Sequence, residues 1–144
     1  MRTLLEKLNY KGQQRIALIN AGKNFRLAFV KEIKGIQIDK EIDPRYPYDF
    51  MIIFAATSSE VDEFTPAAIH NLKVDGILWF CFPKKSSKNA SPGLDRDHGW
   101  KALNDLGFFG IRLVNVDEDW SAMRFRNIKF IKSSSDRFKL KKEQ

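Results

Sequence analysis

Directly after Pro83 stands a short basic, hydroxyl-rich stretch, Lys84-Lys85-Ser86-Ser87-Lys88. Ammonium groups and hydroxyls hold phosphates and carboxylates, the first by charge and the second by hydrogen bonding. Downstream, Asp117-Glu118-Asp119-Trp120 sets three acids beside an indole. The indole can cover a pocket. The acids can instead pair with Lys84 and Lys85 and pin two loops together, at roughly 0–1 kcal/mol per surface pair. A third block, Asp95-Arg96-Asp97-His98, offers carboxylates and an imidazole. His98 with Asp95 or Asp119 has the composition of an acid–base pair. As a metal site the block is poor, because neighbouring residues at a helix start point in different directions and His70 belongs to another helix. Carboxylates at a helix start and a structural histidine explain it more simply. Cys81, between Phe80 and Phe82, reads as inert packing. Trp79 and Trp100 read as core. No catalytic residue, metal ligand or cofactor is assigned from these blocks.

The elements that must position these groups follow from the apolar pattern. Residues 77–82 are six consecutive apolar side chains between Asp75-Gly76, read as a turn, and Pro83. Too short for a typical helix and without polar alternation, the run predicts a strand buried on both faces, at the centre of a parallel sheet. Residues 15–20 and 48–56 predict two more such strands, and Ile36 and Ile38 alternate with polar neighbours as a half-exposed one. Helical spacing predicts a short helix over residues 2–9. A second helix carries Phe25, Phe29 and Ile33 inward and is capped by Gly35. A third follows Thr57, with Glu60 completing a capping box and Pro66 kinking or splitting it. A fourth, over residues 95–106, buries Trp100, Leu103 and Leu106. Residues 108–116 and 122–131 predict a closing hairpin at the sheet edge, blunted against pairing by Arg124, Arg126 and Lys129. Strands separated by helices give an α/β fold of three layers, a mostly parallel six-stranded sheet with an antiparallel C-terminal hairpin. In such a sheet the C-terminal strand ends converge on one rim. That rim gathers Asn20 and the candidate ligand residues Gly22, Lys23, Thr57, Ser58, Lys84, Lys85, Ser86, Ser87 and Trp120, with the acidic turn opposite.

At 144 residues the chain reads as one domain, residues 1–131, with a basic flexible tail at residues 132–144. A domain of this size buries roughly 70% of its unfolded surface. No apolar run reaches membrane-spanning length, residues 1–10 lack the apolar core of a signal peptide, and a lone cysteine fits a reducing cytoplasm. The net charge is +7, and the tail holds five basic residues against two acidic ones. A solvated terminus explains the tail better than a nucleic-acid arm does, since it carries a single aromatic, Phe138.

The layout resembles the class I, S-adenosylmethionine-dependent methyltransferase fold in shortened form. More specifically, the blocks YDFMIIF, LWFCFPKKSSK, LDRDHGW and DEDWSAMRFR resemble those of a family of small uncharacterised bacterial proteins, a domain of unknown function, over about residues 1–131. The resemblance implies a truncated Rossmann-like domain with no established activity. It also implies where a methyltransferase would hold its cofactor: a glycine-rich turn after the first strand, and an acid after the second, here Asp39 or Glu41. Residues 20–24 carry one glycine, and about nine residues join the second and third strands where the larger fold places a further helix and strand. These departures count against methyl transfer. They favour a non-catalytic binding or interaction domain, and the blunted edge hairpin favours a monomer or weak dimer. A small enzyme or sensor for an anionic metabolite or nucleotide at the rim is the alternative, and a nucleic-acid binder the third.

Overall fold

The computed structural model describes residues 3–131; the predicted basic tail lies outside the described residues. Six strands form one sheet: β1 (Arg15–Ile19), β2 (Gln37–Asp39), β3 (Tyr48–Phe54), β4 (Leu72–Pro83), β5 (Phe108–Asn115) and β6 (Trp120–Asn127). Their order across the sheet is β2-β1-β3-β4-β6-β5. The first four run parallel, and β6 lies antiparallel between β4 and β5. Helices α1 (Leu4–Lys7), α2 (Lys23–Glu32), α3 (Ser58–His70) and α4 (Lys101–Asp105) complete the fold.

Alternation along the strands divides the core in two. Ala17, Ile19, Met51, Ile53, Leu78, Phe80 and Phe125 pack with Val61 and Ala68 of α3 and Leu103 of α4. Ile16, Leu18, Ile52, Phe54, Trp79 and Cys81 pack with Leu5 and Leu8 at α1 and Phe29 of α2. Covered on both faces, β3 and β4 must be apolar at successive positions, which is why their runs show no alternation. Each large apolar side chain withdrawn from water here contributes about 1.5–3 kcal/mol.

Several local expectations change in the structure. The first helix shrinks to four residues because Asn9 takes a left-handed conformation, φ +63°. The cap of α2 is Ile33 in extended backbone, and Gly35, φ +78°, turns the chain beyond it. Helix α3 passes through Pro66 without a break. Pro66 and Asp62 are both exposed, so water can take the carbonyl bond that proline leaves unmade. Asp75-Gly76 is not a turn before β4 but a bulge within it. Pairing with β3 jumps from Tyr48↔Leu72 to Phe50↔Ile77, and Asp75 has φ +54°. The helix expected over residues 95–106 is confined to α4. Gly93 and Gly99 are left-handed, and Asp95 Oδ1 accepts the backbone N–H groups of Asp97 and His98 at 2.9 and 3.0 Å, folding residues 95–99 as a loop. The C-terminal hairpin forms, but its second strand is internal. Met123 and Phe125 of β6 are buried beside β4, so β5, exposed at residues 111–113, is the edge. Arg124 and Arg126 therefore do not guard a sheet edge, and Lys129 sits in a 3-10 turn (Ile128–Phe130).

Candidate ligand rim

The chain leaves β1 for β2 on one side and returns to β3 on the other. Such a reversal opens a crevice beyond the C-terminal ends of β1 and β3, the place where sheets of this kind bind ligands. Here the crevice is bridged. Asn20, left-handed at φ +59°, donates from Nδ2 to the Phe54 carbonyl and to Glu60 Oε2, both at 2.9 Å. Glu60 Oε1 accepts the Ala56 N–H at 2.8 Å. Thr57 Oγ1 accepts the Glu60 N–H at 3.1 Å. The expected capping box is thus displaced by one residue, with the Glu60 carboxylate on Ala56 and not on Thr57. An anion approaching the start of α3 meets a carboxylate already in place.

The basic loop is also committed. Lys84 Nζ donates to Asn115 Oδ1 and, at 2.5 Å, to the Asp117 carbonyl, while its backbone N–H donates to the Asp119 carbonyl at 2.8 Å. This is the loop-to-turn clasp, made through an amide and carbonyls where ion pairs to Glu118 and Asp119 were expected. Among the described residues neither Lys84 nor Lys85 forms an ion pair. Ser87 is buried, and its Oγ accepts the Asn89 N–H at 3.0 Å, shaping the loop. Lys85 and Ser86 remain exposed. Trp120 packs edge-on against Phe54, ring centres 5.1 Å apart, and Phe54 against Phe25 at 4.8 Å. The indole therefore belongs to the α2-side core and is no lid. Gly22 caps α2 beside exposed Lys23, two strands away from β4. Ser58 is half-buried, and Gly93 passes near its hydroxyl. The structure thus joins Lys84 to the acidic turn, keeps the bonds of Ser87 within its own loop, and leaves Gly22, Lys23, Thr57 and Ser58 without a contact to that turn among the described residues.

His98 Nδ1 lies 2.9 Å from Asp95 Oδ1, with the imidazole 73% exposed. The His98 contact, and then the Asp97 N–H, hold the Asp95 carboxyl below its usual range. Cys81 is fully buried, and burial pushes its thiol up, away from the reactive thiolate. Among the described residues no three His, Cys, Asp or Glu side chains gather as a metal site would require.

Two features escaped the pattern of the sequence. Asp39 accepts from Arg15 Nε at 2.8 Å, from Gln37 Nε2 at 2.9 Å and from the Tyr48 hydroxyl. Burial raises its pKa, but the bonds from Tyr48, Gln37 and Arg15 and the charge of Arg15 outweigh it and hold the carboxyl below its usual range. Two hollows also appear. One, of about 470 Å³, lies between the end of β1, residues 40–42 and α3, lined by Asn20, Lys40, Glu41, Ile42 and Phe64. The other, of about 900 Å³, lies off the rim beside Trp100, Met123 and Phe125, and its lining includes Arg96, Asp97, Arg112 and Arg126. Both are assembled from residues far apart in sequence.

No family model matches the chain, and no curated protein matches it. Solved structures do. A SAM-dependent methyltransferase from Aquifex aeolicus superposes with a TM-score of 0.58 at 15% identity, over 85% of this chain and 86% of that one. A Sulfolobus solfataricus protein, provisionally described as a type 11 methyltransferase, gives 0.55 at 13% identity over 92% of each chain. The fold is methyltransferase-like. A ribosomal protein L11 methylase from Lactobacillus delbrueckii subsp. bulgaricus gives 0.53 at 13% identity, over 78% of this chain and 69% of that one. Likeness at this identity concerns the fold alone.

The residues of this methyltransferase-like rim do not fit S-adenosylmethionine. The left-handed position after β1 is Asn20, and its side chain lies across the crevice that a glycine-rich turn would leave open. Both carboxylate oxygens of Asp39 are engaged, and the side chain is 12% exposed, so it has little capacity left for ribose hydroxyls. Glu41, the other acid expected to serve there, lines the smaller hollow together with Glu63.

Proposed function

We propose that this chain is a non-catalytic binding or interaction module on a methyltransferase-like scaffold, grouped with the small bacterial proteins its sequence blocks resemble. The observation that carries this reading is the Asn20–Glu60–Ala56 bridge across the crevice between β1 and β3. A group bound there would have to displace three hydrogen bonds, one of them to a backbone N–H that would otherwise lose its partner. No described helix is long and apolar enough to cross a membrane. We place the protein in the cytoplasm as a monomer or weak dimer. Thermal denaturation of the full chain with millimolar S-adenosylmethionine or S-adenosylhomocysteine tests the reading. The expected result is no change in Tm, and a saturable rise would overturn it.

One observation favours a second reading. Lys85 and Ser86 stay exposed at the end of β4, without an ion pair to Lys85 among the described residues. An anionic metabolite held there would raise Tm in the wild type and not in Lys85→Ala.

A further inference from the structure

The α1 and α2 side of the sheet carries a group of arginines that no rim function uses. Register places Arg112 of β5 directly opposite Arg124 of β6, and Arg126 lies two residues further along the same face of β6. Like charges set opposite one another on a sheet face repel. Among the described residues one carboxylate answers them. Asp75, pushed out by the β4 bulge, takes Arg126 in a two-pronged pair, Nε to Oδ1 at 2.7 Å and Nη2 to Oδ2 at 2.6 Å. Arg112 is exposed, and among the described residues neither it nor Arg124 forms an ion pair. Arg124 is half-buried beside Trp79 in the register, and its Nε is shut off from solvent without a hydrogen-bond partner. Burial first, then the positive charges of Arg126 and Arg112, push the Arg124 pKa down against the pull of Asp75. Among the described residues this sheet face holds two guanidinium groups without an ion pair, one of them with an orphaned donor.

We propose that Arg112 and Arg124 form a binding site for a phosphoryl group, with Arg126 fixed beside them by Asp75. The chemistry selects the ligand. Two uncompensated positive charges match a phosphate dianion better than a single carboxylate. Two planar guanidinium forks also call for an acceptor with more than two oxygens. Arg126 is already satisfied, so it contributes field and position. The site lies on the face of β5 and β6, away from the bridged crevice, and holds whether or not the rim binds anything.

The test uses the full chain in buffer free of phosphate and sulfate. Inorganic phosphate and adenosine monophosphate are compared with chloride at matched ionic strength by thermal denaturation. The Arg124 Nε–H resonance is followed by NMR. At about ten times its dissociation constant, phosphate raises Tm by roughly 3–5 °C and shifts that resonance. The nucleotide matching or exceeding free phosphate identifies a phosphate ester as the source, and free phosphate exceeding it identifies the inorganic ion. Arg124→Met loses the response while holding its Tm in phosphate-free buffer, because an orphaned donor and a repelling charge are removed together. Arg112→Gln, at an exposed position, weakens binding at least tenfold, and Lys11→Gln, an equal change of charge elsewhere, leaves it intact. Phosphate acting no differently from chloride overturns the site. So does a response that survives Arg124→Met, or one seen only with a single-stranded oligonucleotide and indifferent to Arg124.

Discussion

Tyr48 is wholly buried at the start of β3, yet its hydroxyl donates to Asp39 at the end of β2 and accepts the Asp43 N–H at 3.0 Å. Arg15 reaches Asp39 and Asp43 from β1, and its guanidinium lies 4.2 Å from the centre of the Tyr46 ring. Three residues, one each from β1, β2 and β3, thus tie down the short link between β2 and β3 through its Asp43 and Tyr46. The bond between tyrosine and carboxylate is charge-assisted, so Tyr48→Phe should cost about 1.5–3 kcal/mol. The pH dependence carries the network's signature. Asp39 has a depressed folded pKa, so its contribution is present above the ordinary carboxylate range and lost as pH falls through that depressed value. Tyr48 is displaced the other way, first by burial and then by Asp39, from 10.0 to about 12. Its contribution is present below pH 10.0 and lost as pH rises towards about 12. Urea denaturation across pH should show both slopes in the wild type. Tyr48→Phe should reduce the alkaline slope to what Tyr10, also raised by burial, leaves, and weaken the acid one. Parallel profiles in the two proteins would remove the network from the account of stability and return Asp39 to the list of free rim acids.

At the scale of elements, α1 shows how little local propensity decides. Four residues cannot sustain a helix in water. It stands because Leu5 and Leu8 join the α2-side core and the buried Trp79 Nε1 donates to the Leu8 carbonyl at 2.8 Å. Trp79→Phe removes that donor and leaves a buried carbonyl unmatched, a loss of about 1–3 kcal/mol. It should also speed tryptic cleavage at Lys7 and Lys11 relative to sites in α3; an unchanged N-terminal cleavage rate would mean that α1 is held by packing alone. The same contrast explains what the sequence made legible. The cores of β3 and β4 were readable because a strand covered on both faces is apolar at every step. Residues 95–99 were misread because Trp100, Leu103 and Leu106 keep helical spacing, while the left-handed Gly93 and Gly99 that stop the helix look like any other glycines. Asp75-Gly76 suits a turn and a bulge equally, and only pairing with β3 separates them. The inner position of β6 depends on which strands pair, which local pattern does not contain. Lys84 was rightly drawn towards the acidic turn, but through carbonyls that composition cannot reveal. The Asn20–Glu60 contact spans 40 residues, and Glu60 had a sufficient local explanation as a helix cap.

For the molecule as a whole, the sheet order predicts a gradient of rigidity that bears directly on function. β3 and β4 are central and covered on both faces, whereas β2 is a three-residue edge and β5 is exposed at residues 111–113. Amide hydrogen exchange should therefore be slowest at residues 50–54 and 77–82, reaching the global unfolding limit, and faster along β2 and β5. Ligand-binding loops are drawn from the less stable parts of a fold, because they must open to admit what they bind. The crevice at the ends of β1 and β3 breaks that rule if the bridge described here is its working state. The Ala56 N–H, held by Glu60 at 2.8 Å, then exchanges about as slowly as the strand it follows. Glu60→Ala releases that amide, speeding its exchange by roughly tenfold for each 1.4 kcal/mol of local protection lost, while residues 77–82 change only by the drop in global stability. Ala56 exchanging at the rate of the exposed residues around Lys85 would show a crevice that opens readily. The case for a non-catalytic module would then lose its main support, and the smaller hollow beside Lys40 and Glu41 would become the first place to look for a bound cofactor.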